Sequence, residues 1–325
     1  MEDFYEIDFL PVHEEEDGSI RSGDAITMRY RINGETMIHV VDAGFAKTAT
    51  MVEEHIRRYY DNPERIDHFV VTHEHQDHAG GVRGLLERFE IGKLWILSPA
   101  SFAEQIAQRT AKRVDGRWMK RKLQGVFPNL TEIEEFASDR GIEIGWPFAG
   151  RSIGPFNVLS PSCKNWIEWM LEIEDLPESL EKSQRPMSKY IEEILRGTPS
   201  DSLSSQEPEM SPAEWGEEVF PHEGTDPANE ISVVQWGELL GDSVLLTSDA
   251  GRLALGAARL QRASWGGPPA RPHYFQVPHH GSRRNVDSAT LNSWLGPKLA
   301  DPYRRLIPQN EEFVAICSAS SNDPS

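Results

Sequence analysis

The sequence predicts an α/β protein whose β-sheets are covered by helices on the outside. Two observations carry that expectation. The opening alternates apolar and polar residues as half-buried strands do, and from Thr36 onward short apolar runs take turns with helical apolar spacing. A chain of 325 residues is long enough to bury a large core in one such domain.

Tyr5 to Val12 and Ile26 to Ile32 read as strands, and Asn33-Gly34 is a turn signal that makes Thr36 to Val41 the returning arm of a hairpin. Val52, Ile56 and Tyr59 share one face of a helix from about Thr48 to Tyr60. Asp67 to Val71 is a buried strand, Gly81 to Phe89 a helix, Lys93 to Leu97 a strand. Gly154 to Ser160 is a strand ending at Ser160-Pro161-Ser162, followed by a Trp-rich helix over Asn165 to Leu171. Pro177 to Gly224 is polar, acidic and rich in Ser and Pro, with one helix expected over Ser188 to Leu195. Ile231 to Trp236 and Ser243 to Thr247 form a hairpin turning at Leu240-Gly241-Asp242; Tyr274 to Val277 and Phe313 to Ser318 are the last strands. No repeat of fixed period is present.

The formal net charge is −19, which disfavours unspecific attraction to polyanions. Charge is unevenly spread, however. Acids dominate from Trp166 to Glu230, whereas Arg109, Lys112, Arg113, Arg117, Lys120, Arg121 and Lys122 crowd a segment whose sole acid is Asp115. Arg252, Arg259, Arg262, Arg271, Arg283 and Arg284 make a second basic stretch. Trp118 among the first set of bases suits stacking on a single strand, although a solvated helix face explains the pattern equally. The two cysteines, Cys163 and Cys317, match neither a zinc knuckle nor a disulfide framework and read as small buried or half-buried residues in a reducing compartment. The N-terminus is acidic where a signal peptide is basic, and no apolar run approaches the ~18 residues that cross a bilayer; a soluble, cytoplasmic protein is expected, with no membrane partner.

The chemistry-bearing stretch is Thr72-His73-Glu74-His75-Gln76-Asp77-His78, straight after an apolar strand. In an extended segment residues i and i+2 project to one side, so His73 and His75 can bind one ion together, and Asp77 and His78 can curl under a second. Imidazole and carboxylate ligands suit zinc, manganese or iron. The paired Gly80 and Gly81 are expected to let the loop turn tightly into a helix. Downstream, Asp249 follows the apolar Leu245-Leu246, where it reads either as a bridging carboxylate or as a helix cap, and His279 and His280 follow another strand.

These residues resemble the H-x-H-x-D-H signature of the metallo-β-lactamase fold, and His39 to Gly44 resembles its first motif, with Asp42 supporting the metal loop. The resemblance implies a four-layer αββα sandwich, two mixed β-sheets with helices on the outer faces. It would be one domain over residues 1–325, with an acidic insertion or lid at about 163–228. Gly23-Asp24-Ala25, Val158-Leu159-Ser160-Pro161, Asn229 to Val234 and Val277 to Ser282 are similar to the hydrolase domain of ComEC-type DNA-uptake channels and its stand-alone relatives. That pattern commonly has T-G-D where Thr247-Ser248-Asp249 stands, and lysine where Arg283 stands. A third-motif histidine has no clear counterpart: His222, Asp226 or Asn229 would serve. Relatives continue beyond the final Ser-Asn-Asp-Pro-Ser, so a truncated chain is expected.

The resemblance implies two divalent ions, Zn or Mn, held by His73, His75, Asp77, His78, Asp249 and His280, with His222 a further candidate and a hydroxide bridging the ions as nucleophile. Asp77 would orient water, and whichever of His279 and His280 is not a ligand would meet substrate oxygen or donate a proton; His280 is the preferred ligand and His279 the catalytic partner. Asn229, Ser232, Ser282, Arg283 and Arg284 are the substrate-binding candidates, the arginines as bidentate phosphate holders. The expected activity is a phosphodiesterase or nuclease on DNA, single-stranded favoured. The alternatives are a small phosphodiester, an ester or a lactone as substrate, or an interaction subunit with a vestigial metal site whose acidic 166–230 region docks a basic protein.

Overall fold

The computed structural model describes residues 2–16, 19–110, 114–173, 220, 224–266, 271–296 and 313–319. The expected helix at Ser188 to Leu195, most of the acidic insertion, His222, Lys112 and Arg113 lie outside those residues.

The first half runs β1 (Phe4–Phe9), β2 (His13–Glu16), β3 (Ser19–Ser22), β4 (Ile26–Ile32), β5 (Glu35–Val41), α1 (Thr48–Tyr59), β6 (Arg65–Val71), α2 (Gln76–Ala79), α3 (Val82–Arg88), β7 (Glu90–Ile96), α4 (Ala103–Ala107), α5 (Gly116–Val126), α6 (Pro128–Asp139) and β8 (Ile144–Gly145). The second runs β9 (Ser152–Ile153), β10 (Phe156–Ser160), α7 (Cys163–Met170), α8 (Pro227–Glu230), β11 (Val234–Leu239), β12 (Asp242–Leu246), α9 (Arg252–Ser264), β13 (Tyr274–Gln276), α10 (Ser288–Leu295) and β14 (Val314–Ile316). One sheet has the order β1-β4-β5-β6-β7-β8 and the other β14-β13-β12-β11-β10-β9, with β2 and β3 paired as a separate ribbon.

The local physics follows the residues. Asn33 (φ 53°) and Gly34 (φ 82°) are both left-handed, the geometry of a two-residue hairpin turn, and register pairs Ile32 with Glu35. Strands β5, β6 and β7 pair in parallel and are covered on both faces, which is why their ends read as unbroken apolar runs; Val40, Val41, Phe69, Val70, Val71, Leu94 and Ile96 are all buried. Full burial of each such side chain is worth about 1.5–3 kcal/mol. Helix α6 packs on β7 and β8, with α3 against α6 and α1 against α3, and α9, flanked by α10, packs on β10 and β11. Between the sheets, His39 meets Phe156 edge-on at 5.3 Å, Tyr5 meets Tyr274 at 6.5 Å, and the Tyr5 hydroxyl donates to Asp242. The layers are therefore helix, sheet, sheet, helix, as expected.

Some expectations change. Strand β1 stops at Phe9, and the chain between it and β4 forms the β2–β3 ribbon, which the acidic Glu14-Glu15 pattern did not announce. The basic segment forms α5, capped by Asp115, whose carboxylate accepts the Trp118 N–H at 3.0 Å. Cys163 and Cys317 are free thiols and both are exposed, not buried. Among the described residues no helix is long and apolar enough to cross a membrane.

Candidate metal centre

The centre sits where strands of both sheets end. β5 delivers Asp42, β6 delivers Thr72 to His78, β12 delivers Asp249 and β13 delivers His279 and His280. Open α/β sheets place ligands at such strand ends because loops there are free of the ladder. Asp42, Ser248, His279 and His280 all adopt left-handed backbone (φ 57°, 48°, 47° and 53°), a conformation that L-residues hold only where surrounding contacts enforce it. Gly80 and Gly81 have ordinary helical backbone instead. They are small because the Ala43–Ala46 loop presses against them: a Cβ on Gly81 would lie 2.3 Å from the Ala43 carbonyl oxygen, and one on Gly80 2.9 Å from the Ala46 nitrogen.

Two ligand sets share one carboxylate. Asp77, His78, Asp249 and His280 offer atoms within 4.8 Å of one another, and so do His73, His75 and Asp249. Asp249 Oδ1 lies 3.1 Å from His78 Nε2 and 3.9 Å from His280 Nε2. Its Oδ2 lies 3.6 Å from His73 Nε2 and 3.6 Å from His279 Nε2. His78 Nε2 and both Asp249 oxygens are buried without a hydrogen bond. Buried polar atoms that converge unpaired are costly unless a ligand satisfies them, and this donor set fits divalent cations.

The ring nitrogens on the far sides are fixed. His78 Nδ1 is 2.9 Å from Asp42 Oδ2, His280 Nδ1 is 2.9 Å from the Ser318 carbonyl oxygen, and His279 Nδ1 is 2.8 Å from Asn285 Oδ1. Asp42 also accepts the Thr72 N–H at 2.8 Å and the Thr72 hydroxyl at 2.6 Å. Such partners orient an imidazole so that its other nitrogen faces a metal. Ser248, where the resembled pattern commonly has glycine, keeps the left-handed turn and adds a hydroxyl 2.8 Å from that of Thr72.

The electrostatics follow from charges packed out of water. Burial disfavours the charge on His78, but the Asp249 and Asp77 carboxylates outweigh it and raise its pKa well above the usual histidine range. His280 rises to about 9: burial opposes the charge, and the Asp77 contact and the Asp249 field overcome it. His75 falls to about 4 through burial and the neighbouring His73. Asp77 and Asp249, although burial would raise them, are held below the usual carboxylate range chiefly by His78. Both acids are thus available as anionic ligands.

Asp226 caps α8 by accepting the Ala228 N–H at 2.9 Å and is exposed, so it stands apart from the cluster. Asn229 is buried with Nδ2 3.2 Å from His279 Nδ1. Ser232 is fully buried and offers substrate no surface. Ser282 is half-buried, and Arg283 and Arg284 are exposed beyond it. Asp249 does not cap α9. Glu230 does, accepting the N–H groups of Leu253 (3.2 Å) and Ala254 (2.7 Å). Sequence reasoning passed over Glu230, Asn285, Gln276 and Glu74. The Glu74 carboxylate accepts the N–H groups of Asn129 and Leu130, each at 3.0 Å, and so ties the His73–His75 turn to the start of α6.

Residues 28–149, which hold the first-sheet half of this centre, match the Metallo-beta-lactamase superfamily. The helix, sheet, sheet, helix layering is consistent with the metallo-β-lactamase sandwich. An alkyl/aryl-sulfatase, BDS1 of Saccharomyces cerevisiae, is 29% identical over 103 residues, 30% of this chain and 15% of the sulfatase, so only a small part of that relative is spanned. Among solved structures, the hydrolase AbOPH, described as in the beta lactamase superfamily, is 13% identical with a TM-score of 0.37, covering 77% of this chain and 70% of its own. The dizinc quorum-quenching lactonase AidC is 11% identical with a TM-score of 0.34, covering 76% and 68%.

Proposed function

We propose that this protein is a dinuclear metal-dependent phosphodiesterase acting on DNA, with single strands favoured. The carrying observation is the division of Asp249, one oxygen toward His78 and His280 and the other toward His73 and His279. That division supports a carboxylate shared by two cations, with His73 and His75 on one and Asp77, His78 and His280 on the other. Two divalent ions held there would supply Lewis acidity toward a phosphoryl group and acidify water at neutral pH.

The chain's own groups do the rest. Asp77, ionised and partly exposed, accepts a hydrogen bond from the attacking water and aims it. His279, half-exposed with Nδ1 held by Asn285, presents Nε2 to a substrate oxygen. Arg283 and Arg284, exposed just beyond His280, pair with phosphates. Helix α5, with Arg117, Trp118, Lys120 and Arg121 exposed, would carry the strand onward.

A second reading takes a small ester. It is favoured by the net charge of −19, which repels a polyanion, and by the name of the yeast sulfatase relative. Turnover of single-stranded DNA, a cyclic dinucleotide, a bis-aryl phosphodiester and an aryl sulfate, with manganese at low and moderate salt, separates the two. DNA cleavage that weakens steeply with salt and vanishes in an Asp77→Ala, His78→Ala double variant is expected. Turnover confined to the small esters would replace the DNA reading.

A further inference from the structure

We propose that Asp24 is the positioning residue that joins the two halves of the metal centre and supplies the negative charge behind its second ion. This rests on the two-ion reading above. Asp24 precedes β4 and is 2% exposed. Its backbone grips the first-sheet turns: its N–H donates to the Asp77 carbonyl at 3.0 Å, and its carbonyl accepts the Gly44 N–H at 2.8 Å.

Its side chain reaches the other sheet. Asp24 Oδ2 accepts the Gln276 side-chain N–H at 2.9 Å, and Gln276 Oε1 in turn accepts the N–H groups of Thr247 at 2.9 Å and Ser248 at 3.0 Å. Those two residues lead directly into Asp249. One carboxylate and one amide therefore fix where Asp249 stands relative to Asp77 and His78.

A neutral amide could form the same bridge, so the charge needs its own explanation. Asp24 Oδ1 is buried without a hydrogen-bond partner, and burial pushes the carboxyl above its usual range, so a charge there is costly. Oδ2 lies 4.0 Å from His78 Nδ1, on the side of that ring away from the cation ligands. Burying a carboxylate with half its valence unmet destabilises a fold. A cation held by Asp77, His78, Asp249 and His280 would be the positive partner that makes the arrangement favourable, with the His78 ring between it and Asp24. The charge on Asp24 thus serves metal retention rather than folding.

Two variants separate charge from bridge. Asp24→Asn keeps the shape and can still accept from Gln276; Gln276→Leu keeps the charge and removes the bridge. Each metal-free protein, and the wild type, is titrated with manganese by calorimetry and melted without metal. Asp24→Asn is expected to weaken one of two binding events by about 10–100-fold, to leave the other unchanged, and to melt no lower than the wild type. Gln276→Leu is expected to melt lower and to weaken both events, because Asp249 is shared. An Asp24→Asn protein that fails to fold, melts lower, or keeps both affinities overturns the assignment. A wild type that takes up no ion removes the metal centre itself, and Asp24's role with it.

Discussion

Asp249 Oδ1 and His78 Nε2 stand 3.1 Å apart, fully buried, and neither makes a hydrogen bond. Asp249 also faces the His73–His75 side, so its removal should empty both proposed ion sites at once. Asp249→Asn is expected to bind fewer than one ion per chain by elemental analysis and to lose hydrolysis by a factor of about a thousand or more. Its metal-free melting temperature should fall, because His78 holds Asp249 ionised in the folded chain and loses that partner.

Glu74 tests the tie between the metal loop and the helix layer. Glu74→Ala removes the acceptor for two N–H groups at the start of α6 and should cost about 1 kcal/mol of stability in denaturant titration. It should also lower affinity at the His73–His75 site by about 10-fold, since that turn loses its anchor. Glu74→Gln should recover part of both losses.

Glu230 gives the fold a signed pH dependence. Burial pushes its carboxyl up to about 7, against about 4.3 for an ordinary glutamate. Between those values the folded state holds a proton that the unfolded state has lost, so stability falls as pH rises from about 4.3 to 7 and is level above. The loss amounts to roughly 3–4 kcal/mol. Glu230→Gln should flatten that slope, its gain over the wild type growing with pH in thermal melts.

His39 slopes the other way. Both ring nitrogens are buried without a partner between Phe156 and His68, and burial lowers its pKa well below the usual value. The unfolded chain takes up a proton below about pH 6.5 that the folded ring refuses, so stability falls as pH drops through that region. His39→Leu should be more stable than the wild type by about 1–2 kcal/mol at pH 5, and by less at pH 8.

The elements that could be read from the sequence are those whose signal is local. The Asn33-Gly34 turn, the apolar ends of β6 and β7 and the spacing of His73, His75, Asp77 and His78 each follow from neighbouring residues. Asp249 and His280 were legible because each closes an apolar strand. What was hidden depends on pairs far apart in the chain. Glu230 caps α9 across 24 positions in sequence, and the Asp24 to Gln276 bond spans 252. No local pattern encodes such partners. The role of Gly80 and Gly81 was misread for the same reason: a glycine signals a turn locally, but here the pressing neighbour is the loop after β5.

Asp249 is the carboxylate around which the proposed two-ion centre is built. The most direct measurement is the number of ions bound per chain, by elemental analysis of protein stripped of metal and then offered zinc or manganese. Two ions are predicted for the wild type and fewer than one for Asp249→Asn. A wild type that still holds fewer than one ion per chain after both metals have been offered would contradict it.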